Sequence, residues 1–284
     1  MGITFGLIYD KIRWEEKAII ETAKLKGIPI NLIDSKISFF ELSDSKEKKP
    51  LGDILLQRCI SFFRGLHITA TLESKGYPVV NSYDVTNICG NKLLTTMALS
   101  KAKIPTPKTF VAFTPEGAYA SLEKLGYPAI LKPIVGSWGR LIIPLKDAET
   151  AMAIFEEREF MYPLYQIFYI QKIVKRPPRD IRIFVAGDEV ITGIYRYSFF
   201  DIKTNIARGG KAETCKITRE IEDLSLKAAD AIGGGILGVD LMETDEGLVV
   251  HEVNHTLEFQ ATVATTKINI PKYIIGYLIR KAKR

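Results

Sequence analysis

Cysteine is scarce in this chain: Cys59, Cys89 and Cys215 are scattered through 284 residues with no C-x-x-C spacing. That excludes a disulfide scaffold and a zinc site of the usual kind, and it suits buried free thiols in a reducing cytoplasm. No apolar run reaches membrane-spanning length, so no membrane span is expected. The start, Met1 to Gly6, lacks a basic n-region and a cleavage site and reads as a first strand. No G-x-G-x-x-G opens the first helix, which excludes a standard dinucleotide binder. Interleaved aromatic and basic platforms are missing too, so nucleic acid is not an expected partner.

What is present is ordinary for a globular protein, with 46% hydrophobic and 25% charged residues. The length is enough for a real core in one large domain or a few small ones. Lys and Arg number 39 against 33 Asp and Glu, a net charge of +6 that favours anionic partners. The basic run Arg280 to Arg284 reads as a solvated helix end favoured by the dipole.

Residues 1–88 read as strands alternating with helices, the pattern of a small α/β layer with parallel strands. Arg58 follows a strand and Arg64 lies near a helix start; both read as surface charges. A second unit starts near Val85. Lys92 opens a helix ending near Ala102, and Pro105 and Pro107 break the pattern after it. Lys132 closes the apolar strand Pro128–Pro133, where a lysine is expensive to bury without an anion. Gly136, Ser137, Trp138, Gly139 and Arg140 follow at once, a loop with exposed N–H groups, a hydroxyl and a guanidinium that could close over phosphates. A third unit runs from Tyr169. In its strand Arg179–Asp188, Asp180 and Arg182 share one face, and Val190–Arg196 pairs back across a Gly187-Asp188 turn. A loop with Asn205, Gly209 and Gly210 leads to a helix over Glu220–Ile232.

The segment Gly235 to Glu258 reads as a hairpin of Ile236–Met242 and Leu248–Val253 around the turn Thr244–Gly247. It carries Asp240, Glu252 and Asn254, oxygen ligands a core strand has little reason to hold. Alternation puts Glu252 and Asn254 on one face, and the hairpin can bring Asp240 opposite them. Two carboxylates and an amide carbonyl suit Mg²⁺, which usually keeps waters and shares nucleotide phosphates. The same alternation turns His251 to the other face as a packed imidazole.

The order lysine, Lys-Pro strand, glycine loop, Arg-Asp-x-Arg, Asn-x-Ala-x-Gly-Gly, Asp and Glu-x-Asn resembles the ATP-grasp fold across essentially the whole chain. Asn87-x-Cys-Gly-Asn-Lys92, the 132–140 segment and Asn254-His-Thr-Leu-Glu-Phe259 narrow the resemblance. They point to the ribosomal S6 glutamate-ligase type, and within it to the α-aminoadipate–carrier-protein ligases of lysine biosynthesis. The fold class this implies is mixed α/β (α+β): an ATP-grasp fold behind a small α/β N-terminal domain. Its expected divisions are 1–88, a central lobe 89–168 and a C-terminal lobe 169–284.

By motif match the resemblance implies that Lys92 and Lys132 contact ATP phosphates beneath the 136–140 loop. Gln171, Lys172, Ile173 and Val174 form the hinge against adenine, although Lys172 stands where relatives often have Glu and is given no base contact. Asp240, Glu252 and Asn254 carry one or two Mg²⁺ ions; Arg182, Arg196, Asn205, Gly209 and Gly210 face the acceptor carboxylate and acyl group. Lys132 and Arg196 are the catalytic candidates, and His255, Thr256, Glu258 and Thr262 the substrate contacts. The implied reaction runs through an acyl-phosphate on the C-terminal glutamate of a small acidic carrier protein, with α-aminoadipate as the amine. A homodimer or homotetramer is implied as well. A glutamate-using sister family of arginine biosynthesis is similar, as are dual-specificity enzymes and S6-type ligases. Thr262 agrees with the aminoadipate pattern, where the glutamate type carries Phe, and Ala261 departs from it.

Overall fold

The structure is a computed structural model describing residues 2–43, 50–136, 139–197 and 211–283. The N-terminal domain contains β1 (Phe5–Tyr9), α1 (Trp14–Leu25), β2 (Ile30–Asp34), β3 (Ile54–Gln57), α2 (Phe62–Ser74) and β4 (Val79–Val80). The central region adds α3 (Tyr83–Gly90), α4 (Lys92–Lys101), β5 (Thr109–Ala112), α5 (Pro115–Leu125), β6 (Ala129–Lys132), β7 (Ile143–Leu145), α6 (Ala148–Glu159) and β8 (Phe168–Lys172). The last part holds β9 (Arg179–Ala186), β10 (Glu189–Tyr197), β11 (Ala212–Thr214), α7 (Arg219–Ile232), β12 (Ile236–Thr244), β13 (Gly247–Asn254), α8 (Gln260–Thr266) and α9 (Ile270–Ala282).

Three sheets follow. The first is parallel, in the order β2-β1-β3-β4. Its alternation divides the apolar residues between two cores. Phe5, Leu7, Ile54 and Leu56 pack under α1 and α9, while Ile8 and Leu55 meet Ile68 and Leu72 of α2. The chain's last helix therefore completes the core begun by its first strand.

The central sheet, β5-β8-β6-β7, is antiparallel and buries Ala129, Leu131, Phe168 and Ile170 beneath α5 and α6. That turns Ile130, Lys132, Tyr169 and Gln171 to its other face. Helix starts in this region use conventional caps: Asp147 Oδ1 accepts from Thr150 N at 2.8 Å, and Asn91 Oδ1 from Leu93 N at 3.0 Å.

The third sheet, β11-β10-β9-β12-β13, is antiparallel as well. Ile181, Ile183, Val185, Val239, Leu241 and Val253 pack against α3, α4 and α7. The opposite face carries Asp180, Arg182, Asp240, Glu252 and Asn254, so a polar face here confronts the lysine-bearing face of the central sheet. Among the described residues no helix is long and apolar enough to cross a membrane.

Candidate nucleotide and metal cleft

Lys132 ends β6 and is only 4% exposed. Its Nζ donates to Gln171 Oε1 at 2.6 Å. The Gln171 amide is held in that orientation from behind: its Nε2 donates to Thr109 Oγ1 at 2.9 Å and to the Tyr169 hydroxyl at 3.2 Å. Thr96 of α4 meets the same hydroxyl at 2.8 Å. Burial brings the Lys132 ammonium down to about 7, with Lys92 and Arg176 adding to the effect and Glu252 opposing it.

Lys92 stands at the first turn of α4, tied to the neighbouring strand by its backbone N–H to Ile134 O at 2.8 Å. Its Nζ donates to the carbonyl of Gly136 at 2.7 Å, so the start of the glycine loop rests on a lysine. Gly136 and Gly139 both take positive φ, +155° and +67°, and Arg140 is exposed. Ser137 and Trp138 lie outside the described residues. Beyond Gln171, the Lys172 side chain points to solvent while its N–H donates to Lys108 O at 2.9 Å, and Ile173 and Val174 are half-buried.

On the facing sheet, strand register sets the constellation. Asp240 pairs with Glu252 on one side and with Arg182 on the other. Arg182 grips Asp240 with Nε on Oδ1 and Nη2 on Oδ2, the latter at 2.7 Å. Arg196 pairs with Asp180 in register and binds both of its oxygens, at 2.7 and 2.9 Å. It also reaches Asp240 Oδ2 at 2.9 Å. Asn254 Nδ2 lies 3.2 Å from Glu252 Oε1 and 3.5 Å from Asp240 Oδ2.

The electrostatics follow from this packing. Burial works against the Arg196 charge, but Asp240 and Asp180 outweigh it and hold the guanidinium above its ordinary value. Burial raises the Asp240 carboxyl, with Glu252 adding to the rise, and Arg182 and Arg196 pull it back. Burial would also raise Glu252; Lys92, His251, Arg182 and the Asn254 hydrogen bond win and hold it well below the usual carboxylate range.

His251 departs from simple alternation. The register shifts by one residue between Asp240 and Leu241, which leaves His251 as the extra residue of a β-bulge. The bulge sets the imidazole within the influence of Lys132, Glu252 and Lys92 rather than among apolar neighbours on the far face. Burial and then Lys132 hold it well below the ordinary histidine value. Its Nδ1 is buried without a hydrogen-bond partner.

These observations test what the cleft could hold. Two carboxylates and an amide converge, which suits a hard divalent cation. Among the described residues no cluster of three or more His, Cys, Asp or Glu could hold a metal, so Asn254 and ligand oxygens would have to complete the shell. Among the described residues Lys132 has no carboxylate at hydrogen-bond distance and His251 Nδ1 has no hydrogen-bond partner, and both suit a polar ligand. The residues fit a metal-bound polyphosphate.

Beyond β13, Thr256 Oγ1 and His255 Nδ1 are 2.9 Å apart, and the Phe62 ring lies 6.3 Å from His255. Burial and then Arg58 lower His255 to about 4. Thr262 is buried in α8. Glu258 is exposed and turned toward the N-terminal domain, with Arg13 Nη1 at 3.2 Å. Asn205, Gly209 and Gly210 lie outside the described residues.

Arg58 is a correction to the sequence reading: it is buried rather than a surface charge. Its Nε donates to Glu16 Oε1 at 2.9 Å and its Nη2 to Leu257 O at 2.8 Å. Arg64 is half-exposed and pairs with Asp10 at 3.2 Å. Alternation places Asp180 on one face with Arg182, and its grip on Arg196 depends on the β9–β10 register.

Residues 89–278 match the RimK-like ATP-grasp domain family, and residues 5–88 match the LysX preATP-grasp domain. A relative from Saccharolobus solfataricus, the alpha-aminoadipate–LysW ligase LysX, is 41% identical over 93% of this chain and 96% of its own. The glutamate–LysW ligase ArgX of Sulfurisphaera tokodaii is 32% identical over 96% of each. Among solved structures, a RimK-domain ATP-grasp protein from Sphaerobacter thermophilus superposes with a TM-score of 0.78 at 21% identity, covering 97% of this chain and 99% of that one.

Proposed function

Because the chain belongs to the RimK-like ATP-grasp ligase family, we propose that it joins α-aminoadipate to a small acidic carrier protein of the LysW kind. The bond would be an amide between the amino acid's α-amino group and the side-chain carboxylate of the carrier's C-terminal glutamate, formed in the cytoplasm during lysine biosynthesis. Identity of 41% to a ligase named for aminoadipate, against 32% to one named for glutamate, favours this acceptor. A buried Thr262 in place of a phenyl ring favours it too.

The reaction has two displacements. A carboxylate oxygen of the carrier attacks the γ-phosphorus of ATP, and ADP leaves. The α-amine then attacks the acyl carbon, the C–O bond to phosphate breaks, and the amine gives up its proton. In such chemistry the protein mainly positions groups and neutralises charge. Lys132 and Lys92 would bind phosphate oxygens, and the hinge at 171–174 would meet the base. Asp240, Glu252 and Asn254 would hold Mg²⁺, which supplies charge neutralisation at the phosphates when bound. Arg196, kept in position by Asp180, donates to the oxyanion that develops at the acyl carbon.

The observation that carries the reading is the opposition of a buried lysine on one sheet to a carboxylate–amide cluster on the other. Lys92 and Glu252 lie close enough to Lys132 to push its protonation in opposite directions, and Lys92 also lowers Glu252. The test is mass spectrometry of the acidic carrier after incubation with ATP, Mg²⁺ and either amino acid. The expected gain is one aminoadipyl residue with stoichiometric ADP. A gain with glutamate alone would transfer the chain to the arginine-type reading, and ADP release with neither amino acid would remove both.

A further inference from the structure

The segment between β13 and α8 has no regular structure, yet it carries His255 and Thr256 and leads to Thr262. Three of its backbone groups, and the N–H of Gln260 that opens α8, are answered by side chains of the N-terminal domain. Asn81 Nδ2 donates to His255 O at 2.9 Å, and Arg58 Nη2 to Leu257 O at 2.8 Å. Glu15 Oε1 accepts from both Phe259 N and Gln260 N at 3.1 Å. Asn81 also takes both backbone groups of Ile236 at the start of β12, N–H at 2.7 Å and C=O at 2.8 Å. The same amide side chain thus ties the segment to the metal-bearing hairpin.

The anchors are themselves braced. Glu16 accepts from Arg58 Nε and from Arg13 Nη2, both at 2.9 Å, and Arg13 reaches on to Glu258. Leu257 and Phe259 are buried in the core shared by β1, β3 and α9. Trp14 stands edge-on to Phe259 at 5.9 Å, with the Arg58 guanidinium 5.8 Å from the same ring. Buried carboxylates at the first turn of α1 are favoured by the helix dipole, which makes Glu15 and Glu16 rigid acceptors.

We propose that Glu15, Glu16, Arg58 and Asn81 form a clamp by which the N-terminal domain positions His255, Thr256 and Thr262, and so sets which amino acid is accepted. These are positioning residues: they act on the substrate through the 255–262 backbone. The inference rests on the ligase reading above and adds to it the source of acceptor selectivity. A displacement of about 1 Å at a reacting group can cost about 10²-fold in rate. Selectivity between amino diacids differing by one methylene has a margin of only about 10–200-fold, so small shifts of this segment are legible in it.

The test uses the full chain with carrier, ATP and Mg²⁺. It reads kcat and KM for α-aminoadipate and for glutamate, KM for ATP, and the melting temperature. Glu15→Ala is expected to raise the amino-acid KM about tenfold or more and to change the aminoadipate-to-glutamate ratio of kcat/KM about threefold or more. KM for ATP should stay within about twofold. Glu15→Gln keeps an Oε1 acceptor and should restore the wild-type ratio. Arg58→Lys cannot hold Glu16 and Leu257 O together and should fall between the two. An unchanged ratio with only a lower melting temperature would overturn the clamp, as would an equal rise in both Michaelis constants. Should Glu15→Ala not fold, Arg13→Gln, at a partly exposed position, loosens Glu16 and Glu258, and an unchanged ratio there overturns the clamp equally. If the wild-type chain joins neither amino acid to the carrier, it is the ligase reading that fails, a result separate from any variant's.

Discussion

On the central sheet, Lys132 is buried with an amide oxygen as its hydrogen-bond partner at 2.6 Å. On the sheet facing it, Arg196 is buried between Asp180 and Asp240, and Arg182 grips Asp240 as well. The first arrangement leaves a cation undercompensated until an anion arrives. In the second, the charges are already answered and the geometry is fixed before any ligand binds. A phosphate site gains from a cation whose charge is turned toward the ligand, whereas an oxyanion site gains from donors that need not move.

Breaking the prepaired side should have the largest effect. Arg196→Met removes the proposed oxyanion donor, with an expected loss of about 10²–10³-fold in kcat. It also leaves two buried carboxylates facing one another, at a cost of about 3–5 kcal/mol in stability. Urea unfolding and single-turnover rates separate the two effects. Adding Asp180→Asn should recover part of the stability and none of the rate. If Arg196→Met unfolded at the wild-type urea concentration, the idea of a structurally compensated network would be wrong.

The undercompensated side should respond the other way. Lys132→Met removes a charge-assisted bond to phosphate worth about 1.5–3 kcal/mol, or roughly 10–100-fold in ATP KM. Yet the ligand-free chain should melt no lower than wild type, because among the described residues the lysine has no carboxylate at hydrogen-bond distance. A drop in melting temperature as large as that of Arg196→Met would erase the contrast between the sheets.

A pH experiment sharpens the same contrast. The free Lys132 lies at about 7, so above that pH it is largely neutral. Phosphate oxygens favour its charged form and raise its value in the complex. Nucleotide binding at about pH 8 should therefore take up a proton, and ATP affinity should weaken as pH rises from about 7 toward the raised value. Calorimetry in buffers of different ionisation enthalpy measures the uptake directly; Lys132→Met should abolish it and Arg196→Met should leave it in place.

Several of these features are legible in the sequence, for physical reasons. A lysine closing an apolar strand and three oxygen ligands inside an apolar hairpin are costly choices unless something polar meets them, and the turn at Thr244–Gly247 fixes their strands. Alternation correctly sets Glu252 beside Asn254, now 3.2 Å apart. What escapes is whatever depends on register or distant partners. The bulge at His251 is a one-residue slip with no local signal. Arg58 looks like a surface charge because Glu16 and Leu257 are remote in sequence, 42 and 199 residues away. The helices at 83–90 and 260–266 are short, and polar or β-branched residues such as Asn87, Thr262 and Thr265 blur their helical period. No such blur explains α9, whose apolar stripe at Ile274, Ile275 and Leu278 is clear; only its basic end was read.

The smallest effect expected concerns the choice of amino acid rather than the rate of reaction. Thr262 sits on α8 and is 2% exposed, so a larger side chain there has limited room. Thr262→Phe would fill volume where the longer acceptor needs it, while a five-carbon diacid still fits. One methylene is worth about 1–3 kcal/mol in such a pocket, which corresponds to a change of roughly 10–200-fold in the aminoadipate-to-glutamate ratio of kcat/KM. The lower end is the realistic one, since overpacking a buried site costs about 1–3 kcal/mol of stability and part of the ring would be pushed aside. α8 packs against β10 and β11 of the third sheet, whereas Lys132 lies on the central one, so ATP KM and the proton uptake on nucleotide binding should match wild type. A ratio that stays put while ATP KM rises would mean that α8 serves the nucleotide side, and the division of labour between the two ends of the cleft would have to be redrawn.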